Sequence, residues 1–169
     1  LSRRQRQMCI RDRELIDFDE ACIEIRAQHD RFVEIVGREP DYFEAHAVMS
    51  KNLNRAISAV AQELGLKEQK ASFDPAAVVH CGDTDLRMVM RSMEPGYEPK
   101  EAIMQTVREM VDGETVVFVC HPGYLDRFIL ENSSLTTDRT KEVDALIDPE
   151  LRTWLESQPD LRLIDYRDL

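Results

Sequence analysis

The chain has 169 residues, 43% of them apolar and 33% charged, enough for one domain with a real core. A net charge of −11 argues against nucleic acid and anionic membrane surfaces as partners, because both select Lys and Arg. No apolar run reaches the roughly 18 residues of a membrane span, and no secretory signal follows the basic start.

Residues 1–13 read LSRRQRQMCIRDR, five arginines against one acid in an otherwise acidic chain. So abrupt a contrast, and the likeness of the string to translated sequencing-adapter read-through, lead us to expect a non-native segment at 1–13. Residues 14–169 are then expected to be the C-terminal part of a domain whose natural start lies upstream of Glu14. Asp17 to Val36 is expected to be an amphipathic helix, with Phe18, Ala21, Cys22, Ile25, Phe32, Val33 and Val36 at three- and four-residue spacing. Asp17 suits its N-cap and Gly37 its stop. After GREP, the run DYFEAHAV reads as a strand. Asn52 to Leu64 is a second helix, with Leu53, Ala56, Ile57, Val60, Ala61 and Leu64 on one face and Gly65 as stop. Residues 66–76 are expected to be irregular, and Ala77 to Cys81 a short strand.

Pro95, Gly96 and Pro99 mark a loop before a helix from Lys100 to Val111. Thr115 to Cys120 is apolar on both faces, as in a parallel strand covered on both sides. Two helices are expected at Asp138–Ile147 and Pro149–Ser157, the second opened by its proline. Leu161 to Tyr166 completes the pattern as a last strand. This alternation predicts an α/β protein with parallel strands. A full β/α barrel takes about 250 residues, so an incomplete barrel is the expected architecture.

Of the four histidines, His29 lies in the first helix near its buried stripe and is expected to be structural or exposed. His80, beside Cys81-Gly82-Asp83, is a weak metal candidate. His46 and His121 each end a strand, where active sites form in parallel α/β folds. Glu44 and His46 are two apart and share a face, a plausible ligand with its hydrogen-bonding support. His46 and His121 are therefore expected to face one cleft. Cys120 points opposite to His121 by strand alternation, so it is expected to be packing rather than a nucleophile. Cys9, Cys22, Cys81 and Cys120 show no CxxC spacing and fit reduced thiols in a cytoplasmic protein.

Two stretches carry a resemblance. ELIDFDEACIEIRAQHDRFVEIVGREPDYFEAHAVMSKNL resembles the region of YdjC-like (ChbG/HpnK) carbohydrate deacetylases in which a helix precedes G-x-x-P and a strand ending in acid-x-His. HPGYLDRFILENSSLTTDRTKEVDALIDPEL is similar to that family's HPG segment and the R-x-x-E-x-x-x-L helix after it, and LIDYRDL fits its ending. The resemblance implies a deacetylase-type β/α barrel that removes acetyl groups from N-acetylated oligosaccharides or amino-sugar lipids, with a divalent metal, magnesium or zinc. It implies that His46 ligates the metal and that His121 acts near the leaving group. Asp126, Arg139 and Glu142 would be supporting residues, and a homodimer is conceivable. The family's Asp-Asp strand and a further histidine ligand have no counterpart here, and Val48 stands where a second histidine is common. A basic residue frequent after the Gly65 region is matched only weakly by Lys67 or Lys70. The expectation is a hydrolase fragment that is inactive alone. The alternatives are a non-catalytic α/β domain kept for binding or assembly, and an unrelated α/β hydrolase; the sequence before Glu14 would separate them.

Overall fold

The computed structural model describes residues 15–45, 50–69, 78–92 and 94–169. These fall into two compact units, one around residues up to 73, 79–84 and 165–169, the other around 74–78 and 85–164. Residues 1–13 and His46 lie outside the described residues.

In the first unit, helix α1 (Phe18–Val36) starts where Asp17 accepts hydrogen bonds from the Asp19 and Glu20 amides at 2.9 and 3.0 Å. It stops at Gly37, whose φ of 75° suits a residue without Cβ and whose N–H donates to the Val33 carbonyl. Strand β1 (Tyr42–Glu44) follows, then helix α2 (Lys51–Leu64), capped by the Ser50 hydroxyl and ended by Gly65. The two helices meet on Ala21, Cys22, Ala56 and Val60, with Ile16, Phe18, Ile25 and Phe43 packed around them. Small residues at the contact let the helix backbones approach closely. Only the first half of the α1 stripe joins this core: Val36 is exposed, and the buried residue of the second half is His29. Arg26 grips Glu63 across the helix pair with two nitrogens.

Strand β2 (Lys67–Gln69) pairs parallel with β1, matching Tyr42 to Lys67 and Glu44 to Gln69. Strand β3 (Val78–Cys81) pairs antiparallel with β2 through Gln69 and Cys81, so the pairing here is mixed rather than wholly parallel. The physical reason is length: residues 70–77 are too few for a parallel crossover, which takes a dozen or more. The C-terminus belongs to this unit, and Tyr166 stacks on Tyr42 with centroids 4.1 Å apart.

In the second unit, β4 (Thr84–Val89) and β5 (Thr115–Phe118) pair in parallel, Leu86 with Thr115 through Val89 with Phe118. Arg87 and Glu114 form a two-point ion pair beside that ladder. Helix α3 (Pro99–Glu109) has its proline at the first turn, as does α6 (Pro149–Glu156). Between them come α4 (Arg127–Asn132) and α5 (Thr137–Leu146). Lys100 bridges to Asp148 at 2.7 Å and Lys141 to Glu98 at 2.8 Å, tying these helices together.

Three expectations are corrected. Leu161–Tyr166 is not a strand: the Asp165 side chain accepts from the Arg167 amide and its carbonyl from the Asp168 amide, and this local turn competes with extension. β5 is half-buried along its length rather than fully covered. Part of the stretch expected to be irregular, 67–69, is strand β2. Among the described residues no helix is long and apolar enough to cross a membrane.

Candidate active site around His121

Beyond Phe118 the chain leaves β5 but stays attached: the Val119 N–H donates to the Val89 carbonyl at 2.7 Å. Cys120, His121, Pro122 and Gly123 follow immediately, so the parallel ladder aims the His-Pro-Gly segment outward from its C-terminal end. Helix α5 then fixes it. Arg139 and Glu142 are three residues apart and therefore lie on one helix face. The Glu142 side chain is 1% exposed and accepts the His121 backbone N–H at 2.6 Å. Its other oxygen accepts the Tyr97 hydroxyl at 3.0 Å. The Gly123 N–H donates to the Arg139 carbonyl at 3.3 Å, and the Arg139 guanidinium donates to the His121 carbonyl at 3.4 Å. A Cβ on Gly123 would meet that guanidinium at 3.4 Å, an ordinary contact with the end of a flexible side chain.

The backbone clamp leaves the His121 ring free of backbone duty. Its Nδ1 lies 3.5 Å from the hydroxyl of Ser92, which is buried and can donate or accept according to the ring tautomer. Such a contact can orient an imidazole ring. Cys120 is a poor nucleophile: burial, helped by the nearby Glu142, raises its thiol to about 11. Little thiolate exists at neutral pH, which agrees with a packing role. Tyr97 is pushed up by burial first and by its bond to Glu142 second, so it stays a hydroxyl donor.

The other candidates are placed separately. Asp126 caps α4, accepting the Ile129 amide at 2.7 Å. Glu44 ends β1 on the same side as Tyr42, whose hydroxyl is raised by burial and then by Glu44. His46 cannot be set beside it, since it lies outside the described residues. His29 is a structural histidine: its Nε2 meets Glu39 at 2.6 Å and its Nδ1 meets Asp30 at 3.2 Å. His80 lines an open groove with Gly65, Leu66, Lys67, Glu68 and Gly82. Among the described residues no three His, Cys, Asp or Glu side chains come together as metal ligands, so these residues alone do not fit a metal. Ser92 and Tyr97 escaped the sequence reading. Both sit in a loop without periodicity, and nothing local marks a tyrosine that pairs with a helix 45 residues on.

Fold and site together define an α/β protein with a histidine held at the end of a parallel ladder. Residues 3–157 match the YdjC-like protein family, and the chain belongs to it. It is 27% identical over 154 residues to carbohydrate deacetylase 2 of Listeria innocua, covering 89% of this chain and 60% of that one. It is 27% identical over 164 residues to the chitooligosaccharide deacetylase of Klebsiella pneumoniae, covering 91% of this chain and 63% of the relative. The crystal structure of a candidate cellobiose-phosphate cleavage protein from Enterococcus faecalis superposes with a TM-score of 0.69 at 21% identity. That match covers 90% of this chain and 61% of the other, and it shows the fold. The chain thus spans about three-fifths of the length of these relatives.

Proposed function

We propose that the chain carries part of the active site of a metal-dependent carbohydrate N-deacetylase, with His121 protonating the departing amine. The observation that carries this reading is the clamp of α5 on His121-Pro122-Gly123, made by the two residues, Arg139 and Glu142, that the family resemblance pairs with that segment. An acetamide is a weak electrophile and its amine leaves badly unless protonated. A positioned imidazole answers the second difficulty, and the Ser92 contact holds its ring. A divalent metal, magnesium or zinc, would supply the activation of water that the first difficulty calls for, with His46 as one of its ligands and Glu44, two residues earlier, as a supporting carboxylate. The Asp-Asp strand and further histidine that complete the family's site have no counterpart here. The reading therefore includes negligible turnover by these 169 residues alone. The substrate class is an N-acetylated oligosaccharide or an amino-sugar lipid, and the setting cytoplasmic.

The test is amine release from an N-acetylated chito-oligosaccharide with magnesium or zinc present. A longer chain supplying the Asp-Asp strand and the further histidine should turn over, and His121→Gln in it should not. Robust metal-dependent release by the 169-residue chain would mean the site is misplaced. An inactive longer chain would favour a binding domain instead.

A further inference from the structure

Strands β4 and β5 run parallel and in register, Val89 beside Phe118, and the Val119 N–H extends the pairing to the Val89 carbonyl. Both chains then leave the ladder at the same end. Three residues beyond Val89 stands Ser92, and three beyond Phe118 stands His121. Register therefore brings these two side chains together, Oγ to Nδ1 at 3.5 Å, although 29 residues separate them in the chain. The loop that carries Ser92 is fixed on its own side. Arg91 pairs with Glu94 at 3.0 Å, the Glu94 N–H donates to the Arg91 carbonyl at 2.9 Å, and the Tyr97 N–H donates to the Glu94 carbonyl at 3.3 Å. Tyr97, from the same loop, reaches Glu142, the carboxylate that holds the His121 amide. One loop thus serves both the backbone and the ring of His121.

The two partners differ in burial. Ser92 is 3% exposed, whereas His121 is half-buried. A buried hydroxyl that gives up its hydrogen bond finds no water in exchange, so the serine is the fixed member and the ring is the one held. The two nitrogens of an imidazole have different tasks, and the bond made by one decides which is left for chemistry. Among the described residues, Nδ1 meets Ser92 and no side chain or backbone group bonds Nε2. A hydroxyl suits the Nδ1 position. It donates to that nitrogen when the nitrogen is bare and accepts from it when it carries a proton, so the ring keeps one orientation in both charge states. A carbonyl in its place could only accept.

We propose that Ser92 is a positioning residue that holds Nδ1 of His121 and thereby commits Nε2 to the nitrogen of the substrate. The inference rests on the deacetylase reading for what Nε2 meets, while the placement of the ring is tested apart from it. Once the oxygen of water has bonded to the acyl carbon, the C–N bond breaks and its electron pair stays on nitrogen. Nε2 gives its proton to that nitrogen, and the ring is left neutral with its remaining proton on Nδ1, where the Ser92 oxygen accepts it.

The ring nitrogens of His121 are followed by NMR in the 169-residue chain carrying isotope-labelled histidine, with His121→Gln identifying their signals. Ser92→Ala should move the Nδ1 resonance and leave Nε2 in place, and Ser92→Thr, which keeps the hydroxyl, should hold Nδ1 near its original value. Tyr97→Phe loosens Glu142 without touching the serine, so it should leave Nδ1 where it was. Circular dichroism checks that each variant is folded. An unmoved Nδ1 signal in Ser92→Ala, a shift at Nε2 instead, or an equal shift in Tyr97→Phe overturns the inference. In the longer chain, Ser92→Ala should lower kcat about tenfold at unchanged KM, the worth of one neutral hydrogen bond. A raised KM with kcat intact would overturn it as well. Failure of the deacetylase reading looks different: a longer chain that releases no amine while the selective Nδ1 shift persists sinks that reading and leaves the placement of the ring standing.

Discussion

Glu142 is the side chain whose loss should be felt most. It is buried and accepts from the His121 amide and the Tyr97 hydroxyl. Glu142→Ala strands both donors, at about 2–5 kcal/mol, whereas Tyr97→Phe removes one partner and costs about 1 kcal/mol. Thermal denaturation of the two variants should show that order; equal shifts would mean the clamp matters less than its geometry suggests. His29 offers a pH test. Hydrogen bonds first to Glu39 and then to Asp30 raise it above its ordinary value of 6.5. A raised histidine adds stability that is fully present below about 6.5 and is lost as pH rises through the folded value. Glu39→Gln should therefore lower the His29 pKa seen by NMR and flatten the pH dependence of stability on the neutral side. An unchanged titration would show that Glu39 does not hold the ring in solution.

Elements that end on local chemistry could be read from the chain in order. Asp17 with Gly37 places both ends of α1 and Gly65 the end of α2, because caps and left-handed stops are decided by the residues beside them; the Ser50 cap starts α2 at Lys51, one residue before the Asn52 start its apolar stripe suggests. Gly37→Ala should cost about 1 kcal/mol, because φ of 75° crowds a Cβ and nothing else lies within 4 Å of that position. A stabilising effect in urea denaturation would show that the helix end relaxes. Strands were less legible. β2 is Lys-Glu-Gln and has no apolar residue, and β4 interleaves Asp85 and Arg87 with its apolar positions. Neither is stable by itself; each is a strand because a neighbour supplies its hydrogen bonds. Helix α4 was missed for the opposite reason, since it buries nothing and so has no stripe to reveal it.

At the scale of the molecule, the proposed deacetylase reading gives the two candidate histidines different jobs, and these can be separated. In a longer chain that supplies an Asp-Asp strand, the proposed reading expects His46→Ala to abolish zinc or magnesium binding. His121→Ala should leave binding intact and stop amine release. Calorimetric metal titration beside the amine assay checks both, and loss of metal binding in the His121 variant would place that residue among the ligands instead. The sequence by itself determined the two long helices, the strand before His121 and the family, since each depends on short-range pattern or on motifs read in order. Tertiary structure alone decided the antiparallel turn of β3 onto β2, the stacking of Tyr166 on Tyr42, and the meeting of Tyr97, Glu142 and the His121 amide. Those contacts join residues far apart in the chain, and a buried polar group finds its partner only after the elements carrying both have packed.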